Sequence, residues 1–100
     1  MSEYNRREKM EEWDDAIEQV VEQLGDSFHS HRVIQEVAHL NQRRYVEALV
    51  AIEGDIPFQI LHSALGRRIK TVCERLRFSG KDHRSSDMFG QNSKCMKWSR

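Results

Sequence analysis

Residues 57 to 78, PFQILHSALGRRIKTVCERLRF, decide the architecture, because they read either as one long helix or as two helices meeting at Gly66. Phe58, Leu61, Leu65, Ile69, Val72 and Leu76 recur at steps of three and four, so one apolar stripe predicts a helix over 57–78. Pro57 suits the first turn, where its missing amide would have no helical partner in any case. Gly66 costs roughly 0.8–1 kcal/mol relative to alanine in a helix interior, which permits a bend without requiring one.

Upstream, Met10, Trp13, Ile17, Val20, Val21 and Leu24 draw a second stripe, predicting a helix over 4–24 that ends at Gly25. Its carboxylates Glu11, Glu12, Asp14 and Asp15 belong to the outer face. After the linker GDSFHSH, Ser30 is the expected cap of a helix over 31–40 with Val33, Ile34 and Val37 inward. Asn41 then turns the chain and caps a helix over 42–53, with Tyr45, Val46, Leu49 and Ile52 inward. From Ser79 the text is rich in Ser, Gly, Asn and Asp, which favour turns. Met88, Phe89, Met96 and Trp98 are costly to leave in water, so a docked hairpin or strand is expected, with Cys95 and Lys97 alternating against Met96 and Trp98. The expectation is a mainly α single domain over 1–100, with a helical core over 1–78 and a C-terminal segment over 79–100.

The chain has 100 residues and no net charge, but the charge is unevenly placed. Residues 1–65 hold 6 Lys+Arg against 13 Asp+Glu, a balance of −7, and residues 66–100 hold 10 against 3, a balance of +7. Such a dipole fits a polyanion at the basic end, or pairing of the two halves within or between chains. No stretch approaches the roughly 18 apolar residues of a membrane span, and the start lacks the apolar core of a signal peptide, so a cytoplasmic protein is expected.

The words around Gly66 resemble the helix-turn-helix of DNA-binding proteins over residues 58–76: Leu61, then Leu65-Gly66, then Thr71-Val72 and Leu76. The pattern departs at His62, usually a small residue there, and at Arg67, usually an apolar one. The resemblance implies a left-handed turn at Gly66 and DNA as partner. It places Arg68, Lys70 and Glu74 toward the groove and Arg67, Arg75 and Arg77 nearer the phosphates, with Lys81 and Arg84 on the wing of a winged helix. Four further segments, FHSHRVIQEV, RRYVEALV, PFQILHSALGRRI and SSDMFGQNSKCMKW, together resemble a group of short bacterial proteins of unassigned function, some carried on integron gene cassettes. No activity comes with that likeness.

Enzymatic chemistry is not expected. His62 and Ser63 are adjacent, so on a helix they diverge by about 100° and cannot form a nucleophilic triad with Asp55. No cofactor fingerprint is present. No metal site is expected either, because within the cluster His29, His31 and His39 the last two are two turns apart, too far to share one ion without distortion, while Cys73 and Cys95 form no CxxC pair. The function expected is non-enzymatic nucleic-acid binding through Arg67, Arg68, Lys70, Arg75, Arg77, Lys81 and Arg84. The alternative is an interaction or homodimer module built on the first helix, with Trp13 as anchor.

Overall fold

The computed structural model describes residues 10–100. Helix α1 (Asp14–Leu24), strand β1 (Ser27–His29), helices α2 (Ser30–Leu40), α3 (Gln42–Ala51) and α4 (Pro57–Arg75), and strands β2 (Ser79–Ser86) and β3 (Asn92–Ser99) follow in order. The part of the first helix expected over residues 4–9 lies outside the described residues. Residues 10–12 are helical as expected, and Trp13 makes a turn into α1, its amide bonded to the Met10 carbonyl at 3.1 Å.

Helix α4 settles the first question. It runs through Gly66 without a break, and Gly66 is not among the residues of positive φ. The left-handed turn that the helix-turn-helix resemblance implies at this glycine is therefore not formed. The helix stops at Arg75, three residues short of expectation, because the chain closes a Schellman motif. Phe78 donates its amide to the Cys73 carbonyl at 2.9 Å, Arg77 donates to Glu74 at 3.0 Å, and Arg77 takes φ 70°.

The sheet is antiparallel throughout, in the order β1-β3-β2. The expected C-terminal hairpin is β2–β3, joined by the turn between Ser86 and Asn92. Strand β1 was not expected. Its three residues lie in a turn-rich linker, and their pairing partner is the far end of the chain: Phe28 faces Trp98, which faces Gly80 on β2.

One buried cluster unites helices and sheet. Ile17, Val20 and Val21 of α1, Val33 and Val37 of α2, and Leu61, Leu65, Ile69 and Val72 of α4 are fully buried with Trp98. Each such aliphatic side chain contributes roughly 1.5–3 kcal/mol through removal from water. Phe28 and Phe78 meet edge to face at 5.1 Å, joining β1 to the end of α4. The stripe of α1, with Trp13 also buried, is thus spent inside the chain and is not an open surface for a second copy.

Capping differs from expectation too. Ser30 is the first residue of α2, buried, and its hydroxyl accepts the Trp98 indole N–H at 3.0 Å. His29 takes the cap instead, its Nδ1 accepting the Arg32 amide at 3.2 Å. Asn41 serves the end of α2, donating Nδ2 to the Val37 carbonyl at 2.9 Å, and makes no side-chain cap for α3. Helix α3 ends two residues early, at Ala51, where Ile52 is already extended. Val46 and Phe58, both expected inward, are 55 % and 43 % exposed.

Candidate functional site

A cleft of about 840 Å³ opens between the outer face of α4, the N-terminal turn of α2 and the β2–β3 hairpin. That is within the range of small-ligand sites. Along α4 it is bordered by Gln59, His62, Ser63, Gly66, Arg67 and Lys70, a set that recurs every three or four residues. Gly66 forms part of its floor: a Cβ added there would meet nothing within 4 Å, so the glycine leaves open space.

One end of the cleft is aromatic. Phe58 and Phe89 meet at 4.8 Å in edge geometry, and the His62 ring stacks on Phe89 at 5.9 Å with planes 8° apart. Both phenylalanines are exposed. Phe89 is held by the hairpin turn, where Asp87 Oδ1 accepts the amides of Phe89 at 2.9 Å and Gln91 at 3.0 Å. The Gln91 amide contributes most to holding the Asp87 carboxyl below the usual range, with the Phe89 amide adding to it. His62 Nε2 lies 2.6 Å from the Tyr45 hydroxyl. Burial lowers the proton affinity of the imidazole and raises the pKa of the phenol, so at neutral pH this is a pair of uncharged groups.

The other end is cationic. Arg67 and Lys70 of α4 border it together with Lys94 of β3. Among the described residues, none of the three has a carboxylate within ion-pair distance.

The seven expected cations therefore divide. Arg68 reaches Asp14 with two hydrogen bonds, Nε to Oδ1 at 3.0 Å and Nη2 to Oδ2 at 2.7 Å, and that hydrogen bonding holds the guanidinium above its usual pKa. Arg75 reaches Glu18 at 3.6 Å. On a helix turning about 100° per residue, Arg68 and Arg75 lie roughly half a turn from the cleft-lining stripe, so the acids of α1 sit on the opposite flank of α4. Arg84 donates Nε to Asn92 Oδ1 at 3.2 Å, Lys81 faces Lys97 across the strands, and Arg77 stands at the helix end. Only Arg67 and Lys70 of the seven border the cleft.

Lys94, Phe58, Phe89 and His62 were missed as site residues. The signal for Phe89 was its place two residues after Asp87 in a turn-forming run; for Lys94 there was none, since the cleft it borders is closed by α4, far away in sequence. Asp55, His62 and Ser63 all border the cleft, but the hydrogen bond of His62 goes to Tyr45 and to neither of the others. Of the histidine set, His39 is exposed near the C-terminal end of α2, while His29 and His31 converge with Cys95. Cys73 is buried on α4, and burial pushes its thiol up to about 12. No helix among the described residues is long and apolar enough to cross a membrane.

Comparison with family models, with curated proteins and with solved structures finds no match for this chain.

Proposed function

We propose that the chain is a non-enzymatic binding protein that takes single-stranded nucleic acid in the cleft between α4 and the hairpin. The carrying observation is that Arg67, Lys70 and Lys94 line the same cleft as exposed Phe58 and Phe89, with the acidic α1 on the far flank of α4. Cations along a groove attract the phosphate backbone, and aromatic faces stack bases whatever their sequence.

Fluorescence anisotropy with labelled single-stranded oligonucleotides at low salt tests it. The expected result is micromolar binding whose logarithm falls against log salt with a slope of about −2, as three phosphate contacts at about 0.7 each require. Phe58→Ala and Phe89→Ala weaken binding by the roughly 1–3 kcal/mol of a stacked base. Absence of binding overturns the proposal.

A second reading, duplex binding with α4 in the groove and β2–β3 as a wing, is favoured by the hairpin that directly follows the basic helix. A duplex arm of the same titration separates them: this reading needs Arg84→Ala and Lys81→Ala to weaken binding, which the single-strand reading does not. A protein-interaction role rests on Val46 and Val50, neighbours on α3 that are 55 % and 80 % exposed. Light scattering that finds a strict monomer removes self-association from consideration.

A further inference from the structure

We propose that His29, His31 and Cys95 form a zinc-binding site, with His83 as the fourth ligand. One ligand atom from each of the first three lies within 4.8 Å of the others. They come from three elements, the end of β1, the first turn of α2 and the middle of β3, so the fold itself assembles the cluster. His83 stands on β2 directly across from Cys95, and its ring stacks on that of His29 with centroids 5.7 Å apart.

Imidazole nitrogens with one thiolate are a donor set for zinc, and without a carboxylate among the four the set does not suit calcium or magnesium. Zinc bonds of about 2.0–2.1 Å to nitrogen and about 2.3 Å to sulfur place tetrahedral ligand atoms about 3.5 Å apart. Closure therefore asks movement of about an ångström from His29, His31 and Cys95, while His83, outside that 4.8 Å group, has to turn from its stacked position on His29; all four side chains are half-buried.

The surroundings supply the outer hydrogen bonds that a metal-bound histidine needs. One His31 ring nitrogen, Nδ1, lies 2.8 Å from Ser85 Oγ and the other, Nε2, 3.2 Å from Ser93 Oγ. Whichever nitrogen binds the metal, the other keeps a serine that orients the ring. Ser85 Oγ also lies 3.6 Å from Cys95 Sγ.

Binding has a cost that can be located. His29 Nδ1 accepts the Arg32 amide. If Nδ1 binds zinc that bond is lost, and if Nε2 binds zinc the remaining ring proton moves to Nδ1, which then no longer accepts. Either way the Arg32 amide turns to water, while the Cys95 thiol gives its proton to the buffer as the zinc–sulfur bond forms. His31 and Cys95 also border the cleft, but the metal titration is read without any oligonucleotide, so a failure of either reading leaves the other standing.

The test uses the full chain, reduced and stripped with chelator, titrated with cobalt as an optical probe and then with zinc. One equivalent of cobalt is expected to give a thiolate charge-transfer band and the visible bands of a tetrahedral centre, both abolished by zinc. Cys95→Ser removes the charge-transfer band, and Cys73→Ser leaves it unchanged. His31→Ala and His29→Ala each weaken zinc binding at least about tenfold. His83→Ala keeps the thiolate band and alters the visible ones. Zinc raises the midpoint of thermal unfolding in the natural chain and not in Cys95→Ser. If a histidine variant does not fold, the serine pair decides. No band with cobalt, or a band that survives Cys95→Ser, overturns the proposal.

Discussion

The guanidinium of Arg68 grips both carboxylate oxygens of Asp14, at 3.0 and 2.7 Å, across 54 residues of sequence. Part of the opposition between the acidic and basic halves of the chain is therefore spent holding α1 against α4. Both side chains are largely shielded, 24 % and 17 % exposed, so screening by water is limited. Arg68→Ala is expected to lower stability by about 1–3 kcal/mol, read as a fall in the urea midpoint. Arg68→Lys restores less than half, because one ammonium cannot span two oxygens as the planar fork does.

Gly66 sits in a regular helix with open space where a Cβ would go. Gly66→Ala is therefore expected to raise stability by about 0.5–1 kcal/mol, the helix-propensity difference between the two residues. Because the same space belongs to the cleft, Gly66→Leu is expected to keep the fold and abolish oligonucleotide binding. Thermal unfolding and anisotropy on the two variants check the pair of outcomes. A stable Gly66→Leu protein that binds as before would move the ligand elsewhere.

The same helix shows what could be read in advance. Its length and buried stripe follow from a period near 3.6, and so does the burial of α1, because neither needs knowledge of a distant partner. Periodicity is silent about which stripe residues lie past the edge of the core, which is why Phe58 and Val46 were read as inward. It is equally silent on charge: Arg67 and Arg68 are adjacent, yet about 100° of helix sends one to the cleft and the other to Asp14. β1 and the His29, His31 and Cys95 cluster depend on β3 returning beside the start of α2, a pairing across some 70 residues that no local pattern encodes.

Arg77 holds the left-handed position of the Schellman motif at φ 70°. That conformation crowds the Cβ of any L-residue, and glycine is the usual occupant. Arg77→Gly is expected to raise stability by about 1 kcal/mol, and Arg77→Val, whose branched Cβ is worse there, to lower it by a similar amount. Denaturant unfolding of both variants measures the difference; a destabilised glycine variant would mean that the arginine side chain matters more than the backbone.

Gly80 lies opposite Trp98, and a Cβ added at Gly80 would come within 2.4 Å of the indole ring. The indole cannot retreat, since its N–H is bonded to buried Ser30 and its ring is in the core. Gly80→Ala is accordingly expected to cost about 1–3 kcal/mol, as overpacking of a filled interior does. Near-ultraviolet circular dichroism locates the effect at the indole. A neutral substitution would show that the ring shifts freely and that the glycine is there for another reason.

The His62 ring, packed against Phe89 and beside Tyr45, has its proton affinity lowered chiefly by burial, an effect that Asp87 only partly offsets. Once unfolded, the ring regains its ordinary value near 6.5. Below that pH the unfolded chain binds the proton more readily than the folded one, so stability is complete above about pH 6.5 and falls as the pH drops toward the folded value. His29 is shifted in the same direction, first by burial and then by His31 and His83, and adds a second contribution of the same sign. Urea midpoints of chelator-treated protein between about pH 7.5 and pH 5 are therefore expected to decline. His62→Gln, which keeps a polar group beside Tyr45 but cannot titrate, makes that decline shallower without removing the share due to His29. Equal slopes in the two proteins would mean that His62 takes up its proton as easily folded as unfolded, and that the aromatic end of the cleft is wetter than its packing implies.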